Sequence, residues 1–297
     1  MAAEDQVARE GFAAVPGGNV WYRIVGDGDA IPLLTLHGGP GAEHGYLEPL
    51  AGIADERPVV FFDQLGCGRS DRPDDPSLWR MERFVAEIDA LREALGLDRV
   101  HLLGHSWGGW LAVEYMLSAP RGVESLVLAS TSASIPQFVA EAERLKDTLP
   151  PDVRDTLRRF EAAGDFTHPA YLAAVDVFYH HFLCRLDPWP EELAESVGGL
   201  ADNQVYATMN GPNEFIVTGN LKDWNRIDRL GEIRVPTLIT VGRYDELTPA
   251  CAATLRDGIA GSRMVVFEQS AHLSHQEETD AYLDTLRGFL RRVEGRG

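Results

Sequence analysis

Short runs of consecutive apolar residues recur along the chain and are typical of strands that are buried on both faces of a sheet. They lie at residues 33–36, 59–62, 100–103, 126–129, 237–241 and 264–267. Two further extended segments, 11–15 and 19–25, are joined through Pro16-Gly17-Gly18 and predict an opening β-hairpin.

Helical periodicity separates these runs. Residues 81–95 place Phe84, Ile88 and Leu91 on one face, together with Val85 and Leu95, and charged residues on the other, which predicts an amphipathic helix. Further helices are predicted at 107–117 and near 276–292. Strands that alternate with helices predict βαβ units and an α/β fold, with a mostly parallel central sheet flanked by helices.

The alternation stops after the sixth strand. From residue 132 to 223 the pattern is helical without a convincing strand, and aromatic residues are concentrated there. We therefore predict a core formed by residues 1–131 and 224–297 and an inserted helical cap domain at 132–223. We expect the aromatic residues of this insertion to define the substrate pocket.

Composition narrows the class of protein. The 297 residues are 44% hydrophobic and 25% charged, ordinary values for a globular domain, and the net charge is −19. Such a charge disfavours nucleic acid and acidic membrane surfaces as partners. The three cysteines lack metal or disulfide spacing, and neither a signal peptide nor an 18-residue apolar stretch is visible, so we expect a cytoplasmic protein.

The segment Gly104-His105-Ser106-Trp107-Gly108 matches the pattern G-x-S-x-G. It follows a predicted strand and precedes a predicted helix, which is the context of a nucleophile elbow. Ser106 is therefore the candidate nucleophile.

A serine nucleophile needs a base and an acid that orients the base. Asp245 follows the strand at 237–241, and His272 follows the strand at 264–267. The chain order of serine, aspartate and histidine is the one expected of an α/β-hydrolase. Each residue also lies beyond the carboxyl end of its strand, where open α/β sheets bind ligands.

An oxyanion hole needs backbone N–H groups that no side chain obstructs. Trp107 can supply one such group because it follows the nucleophile, and the loop His37-Gly38-Gly39-Pro40-Gly41 can supply the other, for which we favour Gly39. In the next loop, Asp63 and Arg69 are expected to form an internal ion pair. His180-His181 and the pair His272 and His275 have spacings found in metal sites, but no carboxylate or thiol cluster completes a site, so neither a metal nor another cofactor is expected.

Several motifs together resemble the proline iminopeptidase family (serine peptidase family S33) of the α/β-hydrolases. The motifs are HGGPG at 37–41, DQLGCGRS at 63–70, GHSWGG at 104–109, FYHHFLCRLDPWP at 178–190, MNGPNEF at 209–215 and GRYDELTP at 242–249. The resemblance implies an enzyme that removes one residue from the free N-terminus of short peptides.

The same resemblance implies roles for individual residues. Ser106 is then the nucleophile, His272 the general base and Asp245 its orienting acid, while Glu214 and Glu246 hold the substrate ammonium. Carboxylates suit that task physically, because they pair with a positive charge next to the scissile bond.

Other functions stay open on the sequence. An amino-acid amide or ester hydrolase could use the same ammonium site. A neutral-ester esterase would not need the two glutamates, and a ligand-binding protein that had lost catalysis would be expected to lack a triad residue. The serine argues against epoxide hydrolases and haloalkane dehalogenases, whose nucleophile is an aspartate. The oligomeric state is not predicted.

Overall fold

The structure, a computed structural model, describes residues 8–296 and is built on one eight-stranded sheet. The strands are β1 Ala8–Val15, β2 Gly18–Val25, β3 Leu33–Leu36, β4 Val59–Phe62, β5 Val100–His105, β6 Val123–Ala129, β7 Thr237–Gly242 and β8 Arg263–Phe267. Their order across the sheet is β1-β2-β4-β3-β5-β6-β7-β8. The pairs β1–β2 and β2–β4 are antiparallel and all other neighbours are parallel, which confirms the predicted fold class.

Helices cover both faces of this sheet. They are α1 Met81–Leu95, α2 Trp107–Leu117, α3 Ile135–Lys146, α4 Pro151–Ala163, α5 Pro169–Phe182, α6 Glu191–Gly198, α7 Gln204–Met209, α8 Pro249–Gly258, α9 Ser274–Glu277 and α10 Thr279–Val293. Side chains of α1 and α2 belong to one hydrophobic cluster, and those of α10 and the 3-10 helix Gly45–Ile53 belong to a second. None of the helices within residues 8–296 is long and apolar enough to span a membrane.

The helices α3 to α7 connect β6 to β7, as the absence of strand patterns at 132–223 predicts. They share a core with the sheet layer, because Trp110 of α2 packs against Phe138 of α3 with ring centroids 6.2 Å apart. The division into a core and a separate cap domain with the bounds 132–223 stays a prediction.

The predicted C-terminal helix is interrupted. Instead of one helix near 276–292, α9 ends at Glu277 and α10 begins at Thr279. Glu278 between them leaves the helical region, with φ −131° and ψ 52°, and its carboxylate accepts hydrogen bonds from the Gln269 N–H (3.0 Å) and the Ser270 hydroxyl. These contacts to the loop before α9 explain the break.

The polar face of α1 is not fully exposed, contrary to the amphipathic interpretation. Arg83 and Glu87 are both buried and form an i,i+4 ion pair. The Glu87 carboxylate also accepts the backbone N–H of Leu65 at 3.3 Å, so the loop after β4 covers this face of the helix. Arg92 is buried as well and donates to the Tyr115 hydroxyl at 2.7 Å.

We expect Arg83→Met to lower the free energy of unfolding by about 3–5 kcal/mol, because it leaves the Glu87 carboxylate buried without its cation. The measurement is urea denaturation followed by circular dichroism. The matched control is Arg99→Met, which removes an ion pair with Glu124 from an arginine side chain that is 61% exposed; that change should cost less than about 1 kcal/mol. Equal losses in both variants would contradict the prediction.

Candidate active site

Ser106 occupies a strained turn between β5 and α2. Its backbone has φ 56° and ψ −123°, a region that serine rarely adopts. Two glycines permit this geometry, since a Cβ at Gly104 would collide with the backbone of Gly108, and a Cβ at Gly108 would collide with the carbonyl of Leu36. The turn therefore brings the predicted nucleophile close to the end of β3.

The predicted base and acid are joined by a hydrogen bond. His272, in the loop after β8, donates from Nδ1 to Oδ1 of Asp245 at 2.8 Å, and the same oxygen accepts the Leu247 N–H at 2.9 Å. With Nδ1 engaged, Nε2 is the ring nitrogen available to a serine. His272 and Ser106 line the same cleft.

The predicted oxyanion donors lie beside this serine. A Cβ at Gly38 would lie 3.1 Å from the Ser106 Cβ, and Gly39 has φ 109°. The N–H of Gly38 donates to the Tyr46 hydroxyl at 2.6 Å, which occupies it. The N–H groups of Gly39 and Trp107 have no acceptor among residues 8–296, and Trp107 begins α2, whose N-terminal dipole favours negative charge. This supports the choice of Gly39 over Gly38.

Gln64 braces both elements that carry these donors. Its Oε1 accepts the indole N–H of Trp107 at 2.8 Å, and its Nε2 donates to the His37 carbonyl at 3.0 Å. Its backbone N–H donates to Nε2 of His37 at 2.9 Å. Gln64 was not predicted as a site residue, although its place in the loop directly after β4 was the available signal.

The expected ion pair between Asp63 and Arg69 is wrong. The Asp63 carboxylate accepts the backbone N–H of Arg69 at 2.9 Å and a hydrogen bond from the His44 ring at 2.8 Å. The Arg69 guanidinium instead lies 4.2 Å above the Trp21 ring and pairs with Glu10 at 3.2 Å. Asp63 is fully buried, so pairing with it would require the exposed Arg69 guanidinium to leave solvent. The nearby His44 imidazole binds the carboxylate without that cost.

Glu214 and Glu246 come from different parts of the chain but lie beside the same histidine. Glu214 lines the cleft from the segment after α7, and its Oε1 accepts the Tyr206 hydroxyl at 2.8 Å. Glu246 follows Asp245 and is 1% exposed, and neither of its carboxylate oxygens has a hydrogen-bond partner among residues 8–296. Within those residues, no lysine, arginine or histidine nitrogen lies within 4.0 Å of either carboxylate.

Burial and charge shape the acid–base properties of this group. Burial raises the pKa of Glu246, against the attraction of the His272 imidazolium, and the neighbouring Glu214 and Asp245 carboxylates raise it further. Burial also raises the pKa of Glu214, which the Tyr206 hydrogen bond and His272 oppose. For His272, burial acts to lower the pKa, but Asp245, Glu246 and Glu214 together raise it to about 9.

The acidic residues after His272 brace the loop that carries it. The Glu277 carboxylate accepts the N–H groups of Ala271 and Arg185, both at 2.8 Å. The backbone N–H of His272 donates to the Leu183 carbonyl at 3.0 Å. The loop is therefore fixed both from α9 and from the segment after α5.

The cleft itself has a largely aliphatic wall. The wall residues contributed by the insertion include Leu183, Leu193, Val197 and Leu200. No aromatic from 132–223 lines this cleft, but an adjoining pocket that shares two of these wall residues is lined by aromatics of the insertion, including Tyr179 and Tyr206. The expectation that aromatic residues of the insertion define the substrate pocket stays a prediction. Other aromatics pack against one another, as Phe178 and Phe215 do with ring centroids 4.4 Å apart, and fill the interior of the helical layer.

The histidines that could suggest a metal have other partners. His180 and His181 hydrogen-bond to carbonyls one turn earlier in α5, at 3.0 and 2.8 Å. His275 donates from Nε2 to the Tyr46 carbonyl at 3.0 Å. In the described part of the chain, no three histidine, cysteine, aspartate or glutamate side chains converge as a metal site.

Comparison with known proteins shows the family to which this chain belongs. Residues 31–279 match the family model of the alpha/beta hydrolase fold. The proline iminopeptidase of Saccharolobus solfataricus is 42% identical over 287 residues, which cover 96% of this chain and 93% of the relative. The chain belongs to the proline iminopeptidase family of α/β-hydrolases.

Two solved structures of similar sequence share the fold, and one of them is a proline iminopeptidase. The crystal structure of proline iminopeptidase from Mycobacterium smegmatis superimposes with a TM-score of 0.90 at 37% identity, covering 96% of this chain and 98% of that one. The crystal structure of VinJ superimposes with a TM-score of 0.93, also at 37% identity, covering 96% and 99%.

We expect Glu246→Gln to move the pH dependence of Ser106 reactivity to lower pH by about one pH unit. The rate of fluorophosphonate labelling requires a neutral His272 and therefore rises through the pKa of that residue. Removing the Glu246 charge destabilises the His272 imidazolium and lowers its pKa, so the labelling rate rises at a lower pH. Labelling rates measured between pH 5 and 10 test this.

The control for this experiment is Glu268→Gln. Glu268 follows β8 directly, and its exposed carboxylate pairs with Arg243. This substitution should leave the pH dependence of labelling unchanged. An unchanged pH dependence in Glu246→Gln, or a move to higher pH, would show that Glu246 does not act on the base.

Proposed function

We propose that this chain is a serine aminopeptidase that hydrolyses the peptide bond after the N-terminal residue of short peptides. Ser106 is the nucleophile, His272 the general base and Asp245 its orienting acid. The amides of Gly39 and Trp107 form the oxyanion hole, and Glu214 and Glu246 bind the substrate ammonium.

The observation that carries this proposal is the pair of glutamates. A buried carboxylate without a partner costs several kcal/mol, so proteins retain one where a ligand completes it. Both carboxylate oxygens of Glu246 are buried without a hydrogen-bond partner among residues 8–296, and Glu214 lines the same cleft as Ser106. A primary or secondary ammonium bound between them would satisfy both carboxylates. It would also hold the adjacent carbonyl carbon near the serine.

The reaction proceeds by acyl transfer in two stages. His272 Nε2 takes the proton of the Ser106 hydroxyl as its oxygen attacks the first carbonyl carbon of the peptide, and the Gly39 and Trp107 amides stabilise the oxyanion. The C–N bond then breaks as His272 gives its proton to the leaving amine. Water, deprotonated by His272, hydrolyses the ester and releases the N-terminal amino acid.

The ammonium also prepares the base. The Glu214 and Glu246 carboxylates help to raise the pKa of His272 to about 9, which would keep it protonated at neutral pH. An ammonium between those carboxylates offsets their charge and lowers that pKa. The substrate that the site selects therefore also favours the neutral imidazole that catalysis needs.

The aliphatic wall of the cleft favours uncharged residues next to the scissile bond. Leu183, Leu193, Val197 and Leu200 offer no group that would pair with a charged side chain. This suits proline and other apolar N-terminal residues, and the names of the relatives support the same substrate class.

Ser106→Ala should lower kcat on an aminoacyl arylamide by several orders of magnitude, because the acyl-enzyme can no longer form. The measurement is release of the arylamine, together with covalent labelling by a fluorophosphonate, which should also disappear. Near-normal turnover in this variant would refute the assignment of the nucleophile.

Substrates with a free amine should be cleaved, and their N-acetylated forms should not. Initial rates on Pro-, Ala-, Leu- and Phe-arylamides, each free and acetylated, measure this beside a neutral p-nitrophenyl ester. Equal rates on acetylated substrates, or a preference for the ester, would favour an esterase or general amidase. Activity confined to free amino-acid amides and esters, without cleavage of dipeptides, would favour the amino-acid amide hydrolase.

Glu214→Gln should reduce kcat/KM for the free-amine arylamides by about 10- to 100-fold, since a charge-assisted hydrogen bond contributes about 1.5–3 kcal/mol. The control is Glu195→Gln, an exposed carboxylate on α6, which tests for a general loss of negative charge and should change kcat/KM less than twofold. Equal losses in the two variants would contradict a specific ammonium contact.

A further inference from the structure

The side chain before the nucleophile makes two hydrogen bonds that the mechanism above does not use. His105 is buried, and its Nε2 lies 3.0 Å from the carbonyl oxygen of His272. Its Nδ1 lies 2.9 Å from the hydroxyl of Tyr46. The ring thus connects the backbone of the proposed base with a tyrosine from the segment after β3.

The direction of each bond follows from the donors available. A carbonyl oxygen only accepts, so the His105 Nε2 must carry the proton in the bond to His272. In a neutral ring, Nδ1 then accepts the Tyr46 hydroxyl proton, and the tyrosine oxygen is left to accept the N–H of Gly38 at 2.6 Å. One continuous chain therefore runs from Gly38 through Tyr46 and His105 to His272.

The surroundings favour this neutral form. Burial lowers the pKa of His105, and the His272 and His275 rings, with centroids 4.7 and 5.1 Å away, lower it further. His272 becomes an imidazolium during catalysis, and a second positive charge at His105 would oppose that step. The bond to the His272 carbonyl opposes this lowering but does not offset burial.

The backbone of Tyr46 is held independently of its hydroxyl. The Tyr46 carbonyl accepts Nε2 of His275 at 3.0 Å and Nε2 of Gln276 at 2.7 Å. Removing the hydroxyl therefore breaks the chain to Gly38 and His105 while these two anchors remain.

We propose, on the basis of the function proposed above, that Tyr46 and His105 are positioning residues for catalysis. Their hydrogen-bond chain fixes the oxyanion loop at Gly38 and the backbone of His272 relative to Ser106. Because the hydrogen-bond chain occupies the Gly38 N–H, the neighbouring Gly39 N–H, which has no acceptor among residues 8–296, would serve the oxyanion. Neither side chain touches the reacting atoms in this role.

The main test is Tyr46→Phe, with rates divided by the active-site concentration from fluorophosphonate titration. We expect kcat on an aminoacyl arylamide to fall about 10- to 100-fold with KM within about twofold, because displaced oxyanion donors weaken the transition state and not ground-state binding. A merely structural role would reduce the titratable fraction and leave kcat per site unchanged.

The matched control is Tyr282→Phe. This tyrosine is also buried, and its hydroxyl hydrogen-bonds to the Thr240 side chain at 3.2 Å. The hydroxyl makes no hydrogen bond to Gly38, Tyr46, His105 or His272, the residues of the hydrogen-bond chain. Its kcat per titrated site should stay within about twofold of the unmodified enzyme. A kcat for Tyr46→Phe within the same twofold range would overturn the proposal.

His105→Gln supplies a second, independent test, and it serves alone if Tyr46→Phe does not fold. It should lower kcat by a similar factor, and the double variant should be no slower than the slower single variant, since both changes break the same chain. Losses that multiply in the double variant would overturn the proposal.

A spectroscopic measurement does not depend on activity. With ¹⁵N-labelled histidine, His105 should give the shifts of a neutral ring protonated at Nε2 between pH 6 and 8, and its Nδ1 signal should move in Tyr46→Phe. An Nδ1–H tautomer or an imidazolium in that range would overturn the proposal. Absence of Ser106-dependent hydrolysis in the unmodified chain would instead refute the proposed function, which separates the two failures.

Discussion

The contact between the Gly108 backbone and the carbonyl of Leu36 is the constraint on which the site depends. A strained Ser106 is retained only if its surroundings leave it no relaxed alternative. The glycines at 104 and 108 allow β5, α2 and the end of β3 to approach closely enough to enforce the turn. The same approach brings the Gly39 loop to the serine, so the nucleophile and the proposed oxyanion donors are set by one packing contact.

Electrostatics adds a second layer to this steric frame. Three carboxylates, Asp245, Glu246 and Glu214, act on His272, and only Asp245 is bonded to it. Holding the other two near the base without a cation costs free energy of folding, a common property of sites that are completed by a ligand. The ammonium that we propose as the ligand would relieve this cost.

Much of this arrangement is readable from local sequence. Apolar runs predict six of the eight strands, and a hairpin pattern predicts the other two. The G-x-S-x-G pattern, with Asp245 and His272 after later strands, indicates the triad, because loops at one sheet edge meet in space. Contacts between distant segments are not readable in the same way. The burial of Arg83 and Glu87 depends on a loop from β4, and the bond of Tyr46 to His105 spans 59 residues. The predicted partner of Asp63 was wrong for the same reason. Its ring partner His44 is 19 residues away in the sequence, but its Nδ1 lies 2.8 Å from the Asp63 carboxylate.

The end of α5 has a consequence for how such enzymes can be recombined. The Phe182 carbonyl accepts the Glu246 N–H at 3.1 Å, and the Leu183 carbonyl accepts the His272 N–H at 3.0 Å. Two core loops that carry proposed site residues are thus hydrogen-bonded to a segment that the chain order assigns to the insertion. A modular exchange of insertions between homologues would therefore have to retain this stretch with the recipient, leaving α6 and its aliphatic side chains as the part free to diversify.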